Sequence, residues 1–191
     1  MPRFEELIVI SCFAAFLWAL PRLIMRTPWR RLIPEAVFAG YVGALLYVVI
    51  FAFSMHGFDS PGSTWWMVNV VPLRTILELA RPEHATQAIR QLAGNVVLFV
   101  PFGLLLPILW VRFRRIGQLL FAAALASLAI EILQLVLRLA GVASRSIDVD
   151  DVILNTLGAL VGWAVWRVLF GFWRLVVSPV VKDSAVTDAT G

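Results

Sequence analysis

Charge is scarce in this chain of 191 residues: 15% of positions are Asp, Glu, Lys or Arg, against 61% hydrophobic. So little charge cannot cover a water-soluble domain of this size, and the apolar runs are too long for the strands of a soluble core. The single cysteine, Cys12, excludes an intrachain disulfide. It sits inside an apolar run, where it packs as a small hydrophobe and leaves the redox compartment unread. The two histidines, His56 and His84, lie far apart without a cysteine partner, and H-E-x-x-H, G-x-S-x-G and P-loop patterns are all missing. These absences remove the commonest zinc, serine-hydrolase and nucleotide chemistries.

Long apolar runs are abundant instead, and the mean hydropathy is +0.88. Crossing a hydrocarbon core takes roughly 20 apolar residues as a helix. Five such segments are expected, over about 7–24, 36–53, 95–111, 119–137 and 152–176. The fold class is therefore all-α: a polytopic transmembrane helical bundle of about five helices, in one domain over 1–178. A short polar tail, 179–191, is expected to be disordered and cytoplasmic. The first segment carries Glu5 and Glu6 ahead of its apolar run and ends "WALPRLIM" without a small-x-small cleavage site. It reads as a retained anchor rather than a signal peptide.

The net charge of +4 would suggest nucleic acid in a soluble protein. Here the basic residues gather in short loops, which makes them topology signals and leaves nucleic acid no role. Arg22, Arg26, Arg30 and Arg31 follow the first segment, and Arg112, Arg114 and Arg115 separate the third from the fourth. By the positive-inside rule both loops face the cytoplasm, and Arg174 and Lys182 put the tail there too. The stretches 54–90 and 138–151 then face outward, as does the N-terminus.

With that topology three polar stripes share the outer end. Ser127, Glu131, Gln134 and Arg138 are spaced by four, three and four residues and so fall on one helix face. Asp148, Asp151, Asn155, Gly158 and Gly162 repeat the rhythm on the fifth segment, and Gln87, Gln91 and Asn95 lead into the third with Gly103 two turns on. A carboxylate facing lipid costs about 3 kcal/mol or more, so Glu131 faces protein or water. The stripes are expected to meet in an outward-facing polar pocket.

Structural readings stand beside this one. Gln91, Asn155 and Gly158 suit interhelical glue, worth about 0.6 to 2 kcal/mol, and "GALVG" is a small-xxx-small packing pattern. Asp148 suits an N-cap with Asp151 favouring the helix dipole, and Glu131 can pair with Arg138 or Arg145. In "WWMVNVVPLRTILEL", Trp65 and Trp66 fit an interfacial belt. Pro72 fixes the chain before Arg74, and 74–80 reads as a short interfacial helix. Arg74 offers its fork to a neighbouring carboxylate or to an anionic ligand. Pro101 and Pro107 are expected to break the third helix.

"NVVPLRTI", "GNVVLFVPFGLLLP", "IEILQ" and "SIDVDDVILNTLGALVG", in this order and spacing, resemble the VanZ-like family over about Val68 to Val165. That family takes its name from a membrane protein associated with resistance to the glycopeptide teicoplanin. Its pattern falls on Asn69, Pro72, Arg74, Asn95, Phe99, Pro101, Gly103, Glu131, Gln134, Asp148, Asp150, Asp151, Asn155, Thr156 and Gly158. One departure is Ser144-Arg145-Ser146, where family members often have Gly-Arg before the acidic run. The resemblance implies a bacterial multi-pass protein of the plasma membrane and cell envelope.

Two classes of function are open. In the first, the outer pocket binds a lipid-linked wall precursor or a glycopeptide through Arg74, Asn95, Gln134, Arg145, Asp148 and Asn155 among membrane lipids, without catalysis. In the second, an intramembrane enzyme works on a lipid headgroup. There Asp148, Asp150 and Asp151 hold a divalent cation, Glu131, Asp150 and Asp151 are the catalytic carboxylates, and Arg74 or Arg145 steadies phosphate. A small transporter is a third reading, favoured by a broken third helix but lacking an apparent inverted repeat.

Overall fold

The computed structural model describes residues 4–54, 68–79, 92–140 and 147–187. The bundle is helical: α1 (Phe4–Ile24), α2 (Trp29–Ser54), the short α3 (Arg74–Leu79), α4 (Gly94–Leu109), α5 (Ile116–Leu139) and α6 (Val149–Thr187), with a 3-10 turn at Val111–Arg114. Two short strands, β1 (Val68–Asn69) and β2 (Ile147–Asp148), pair in parallel, Val68 with Ile147 and Asn69 with Asp148. The short helix expected from Arg74 is α3, and the backbone of α6 continues helically through the expected tail as far as Thr187.

Four helices are long and apolar enough to cross a membrane, over Glu5–Ile24, Trp29–Ile50, Ile116–Leu137 and Val149–Arg174. The fifth apolar helix, α4, has 16 residues. At about 1.5 Å per residue it spans about 24 Å, short of a hydrocarbon core of about 30 Å. Pro101 and Pro107 lie inside it, so the expected break does not occur. A proline removes one N–H from the ladder, and packing of α4 among its neighbours keeps the helix through both gaps. Beside the first gap the Tyr41 hydroxyl donates to the Leu98 carbonyl at 2.9 Å.

α4 packs most closely on α6, backbone against backbone. A Cβ on Gly103 would overlap the Ala159 carbonyl oxygen; on Gly158, that of Val96; on Gly162, that of Val100. The expected small-xxx-small packing of "GALVG" is therefore directed at α4. Without a hydrophobic force between helices in lipid, such close van der Waals contact is a main source of association. Around this pair, Phe99, Ala123 and Ala159 are fully buried with Leu45 and Val49 of α2. Leu106, Phe113 and Leu119 fill the arginine-rich end. α1 packs on α2, where Gly40 and Gly43 admit Ser11 and Ala14.

Substituting Gly158→Val is expected to lower thermal stability in detergent by about 2 kcal/mol or more, because the Val96 backbone cannot yield cheaply. Gly171→Ala, with no atom within 4 Å of the new Cβ, is expected to stabilise α6 by about 0.5–1 kcal/mol. Melting curves of the two variants check the pair of signs.

Candidate functional site

α6 starts where the aspartates are, and each takes a different partner. Asp148 precedes the first helical residue, and its Oδ1 accepts the Asp150 N–H at 2.9 Å. That is the N-cap bond expected of it. The same oxygen accepts the Asn69 side-chain amide at 2.9 Å. The Asp148 N–H itself donates to Glu131 Oε2 at 3.2 Å. One residue thus joins β1, α5 and α6.

Asp150 is fully buried. Its two oxygens accept the backbone N–H groups of Leu73, at 2.5 Å, and Ile76, at 3.2 Å. These donors flank the start of α3, so Asp150 caps that helix from a position 77 residues away in the chain. Leu73 adopts φ 67° to permit it. A leucine in the left-handed region is strained, and the bond from its N–H to the Asp150 carboxylate holds it there. Asn69 completes the turn: its Oδ1 accepts the Val71 N–H and its Nδ2 also donates to Thr75 Oγ1, both at 3.1 Å.

Asp151 accepts the Asn95 side-chain amide from α4. Deeper in the bundle, Asn155 Nδ2 donates to Ser127 Oγ at 2.8 Å, the interhelical glue expected of it. Gln134 Oε1 and Asn155 Oδ1 are buried acceptors with no hydrogen-bond donor among the described residues. Each such oxygen is worth about 1–3 kcal/mol of unmet demand.

The expected stripes do converge, as a packed cluster. Ser127, Glu131, Gln134, Asp148, Asp150, Asp151 and Asn155 are all less than a tenth exposed. Two cavities among the described residues lie elsewhere, against α1. No three His, Cys, Asp or Glu side chains are grouped to hold a metal among the described residues. The reason for the aspartates is geometric: Asp150 stands about 100° round the helix from Asp151, so one carboxylate serves α3 and the other α4. Arg74, the first residue of α3, is exposed. Gln87, Gln91, Arg145, Trp65 and Trp66 lie outside the described residues, as does the Arg138 side chain.

A family model described as VanZ/LLP1 matches residues 38–171. The chain belongs to the VanZ/LLP1 family. Protein VanZ of Enterococcus faecium is 42% identical over 83 residues, which is 42% of this chain and 47% of that protein. The match thus spans about half the relative's length. No solved structure matches. Every residue of the polar cluster lies within the VanZ/LLP1 match, whereas α1 lies before it.

In this VanZ/LLP1 chain Asp150→Ala strands two backbone donors and is expected to cost about 1–3 kcal/mol locally. Hydrogen–deuterium exchange of 68–79 should then accelerate while the helical core of α4 stays protected. Asp151→Ala, which releases Asn95, is expected to accelerate exchange at the start of α4.

Proposed function

We propose that this VanZ/LLP1 protein is a non-catalytic protein of the bacterial envelope that lowers a glycopeptide's access to its target. Its working surface is the outer face of the plasma membrane, where Arg74 meets an anionic lipid-linked or wall-related group. The observation that carries this reading is the capping of α3 by Asp150 and the fastening of its turn by Asn69. Together they fix an exposed arginine on a rigid mount. The mount fixes the backbone from which the side chain extends, and a guanidinium can give a phosphate or carboxylate two parallel hydrogen bonds.

The aspartates' bonding supports a mount more than a reaction centre. Both oxygens of Asp150 are occupied by backbone N–H groups, which leaves that carboxylate poorly placed to move a proton. The outward orientation rests on the arginines of 22–31 and 112–115 at the opposite end. The similarity to Protein VanZ supports the envelope role.

The test is expression in a glycopeptide-sensitive bacterium, with teicoplanin susceptibility read against membrane abundance. The protein is expected to lower susceptibility, Arg74→Ala to abolish the effect at unchanged abundance, and Arg74→Lys to retain part of it, having charge without the fork. An Arg74→Ala variant as protective as the parent overturns the reading. So does a covalent change in lipid or wall precursors, seen by mass spectrometry, that disappears in Glu131→Gln.

A further inference from the structure

The end of the bundle remote from the aspartates holds a groove the polar cluster does not use. α1 and α2 touch where Ala14 meets Gly43 and again where Arg22 pairs with Glu35. Between these contacts and the end of α4 lies a cavity of about 640 Å³. Its walls are apolar, from Leu17, Phe38, Val42 and Leu46, with the rings of Trp18 and Trp110 at its polar end. Along α2 it runs from Leu46 to Glu35, about 16 Å at roughly 1.5 Å per residue. That is the depth of one leaflet, half of a hydrocarbon core of about 30 Å.

At the polar end the charges are almost all of one sign. The Arg22 guanidinium lies 4.4 Å from the Trp18 ring centroid and is shared with Glu35. Arg26, Arg30 and Arg31 follow in the α1–α2 connection and Arg112 lies just beyond Trp110; all four are exposed. Arg26 has φ 53°, a left-handed position after a helix where glycine is the unstrained choice. The chain keeps a cation there despite the strain. Basic pockets between membrane helices at the cytoplasmic side suit anionic headgroups.

We infer that this groove binds an anionic phospholipid, one acyl chain lying against α1 and α2 beside the end of α4 and the headgroup phosphate meeting Arg22 and the arginines around it. The apolar walls accept an acyl chain of any lipid, so the arginines supply the preference. Glu35 competes with the phosphate for Arg22. Its removal strengthens an anionic lipid's hold, whereas a purely structural ion pair gives no such gain.

The full chain, purified in mild detergent, is incubated with phosphatidylglycerol, phosphatidylethanolamine or phosphatidylcholine, and retained lipid is measured by native mass spectrometry. Phosphatidylglycerol is expected to bind at least about tenfold tighter than the other two, about 1.4 kcal/mol. Arg22→Gln with Arg26→Gly is expected to erase that preference, and Arg26→Gly on its own to weaken it while relieving the backbone, so the fold is kept. Glu35→Gln is expected to raise the preference, and Val42→Trp, which fills the groove, to lower retention of all three lipids. Equal retention of the three, a preference for phosphatidylethanolamine, or a preference unmoved by Glu35→Gln and Arg26→Gly overturns the inference.

Discussion

A carboxylate kept inside an apolar bundle must have its oxygens met by donors, and this chain places three carboxylates within four consecutive residues. Desolvating each costs several kcal/mol unless hydrogen bonds compensate. The structure supplies those bonds from three separate elements: Asn69 and the Asp150 N–H for Asp148, the Leu73 and Ile76 N–H groups for Asp150, and Asn95 for Asp151. Every element that reaches the start of α6 is therefore positioned by it. The segment with β1 and α3 depends on its bonds to α6, since a two-residue strand pair and a six-residue helix are not stable alone.

The glycines of α4 and α6 make this arrangement possible from below. Gly158 meets the backbone of Val96, next to Asn95, and Asp151 stands two turns earlier on α6. Only helices in backbone contact bring a short asparagine within reach of a short aspartate. Larger residues at Gly103, Gly158 or Gly162 would part the helices and break the bond between Asn95 and Asp151. Packing and polar satisfaction are one constraint here, which is why the polar stripe and the glycine stripe run along the same face of α6.

Much of this could be read from the chain. The apolar runs located the long helices, and periodicity placed Ser127, Glu131 and Gln134 together on α5 and Asp148, Asp151 and Asn155 together on α6. Asp148 as an N-cap and Asn155 as glue were both expected from local rules. Asp150 was not: its partners lie in a segment 77 residues away, and no periodicity links the two. Asn69 stood in the family pattern, but its double role, to Asp148 and to the Val71 turn, depends on a parallel strand pairing that two residues cannot signal. The prolines of α4 misled for a related reason. Their local effect is to break a helix, and contacts from α2 and α6 outweigh it. An open pocket was expected because polar residues in lipid suggest water; among the described residues these side chains are buried against one another.

The two ends of the bundle thus differ in kind, a buried acidic junction at one and an arginine-lined groove at the other. The junction holds the rest of the structure in place, and a disulfide trap across it is a direct test. Val68 and Ile147 are register partners, and adjacent strands lie about 4.8 Å apart, within the span a disulfide can bridge. In a Cys12→Ser chain carrying Val68→Cys and Ile147→Cys, mild oxidation of intact membranes is predicted to join the pair nearly completely, and adding Asp150→Ala to reduce the yield. A pair that stays reduced in protein of normal abundance, or a yield indifferent to Asp150, would contradict it.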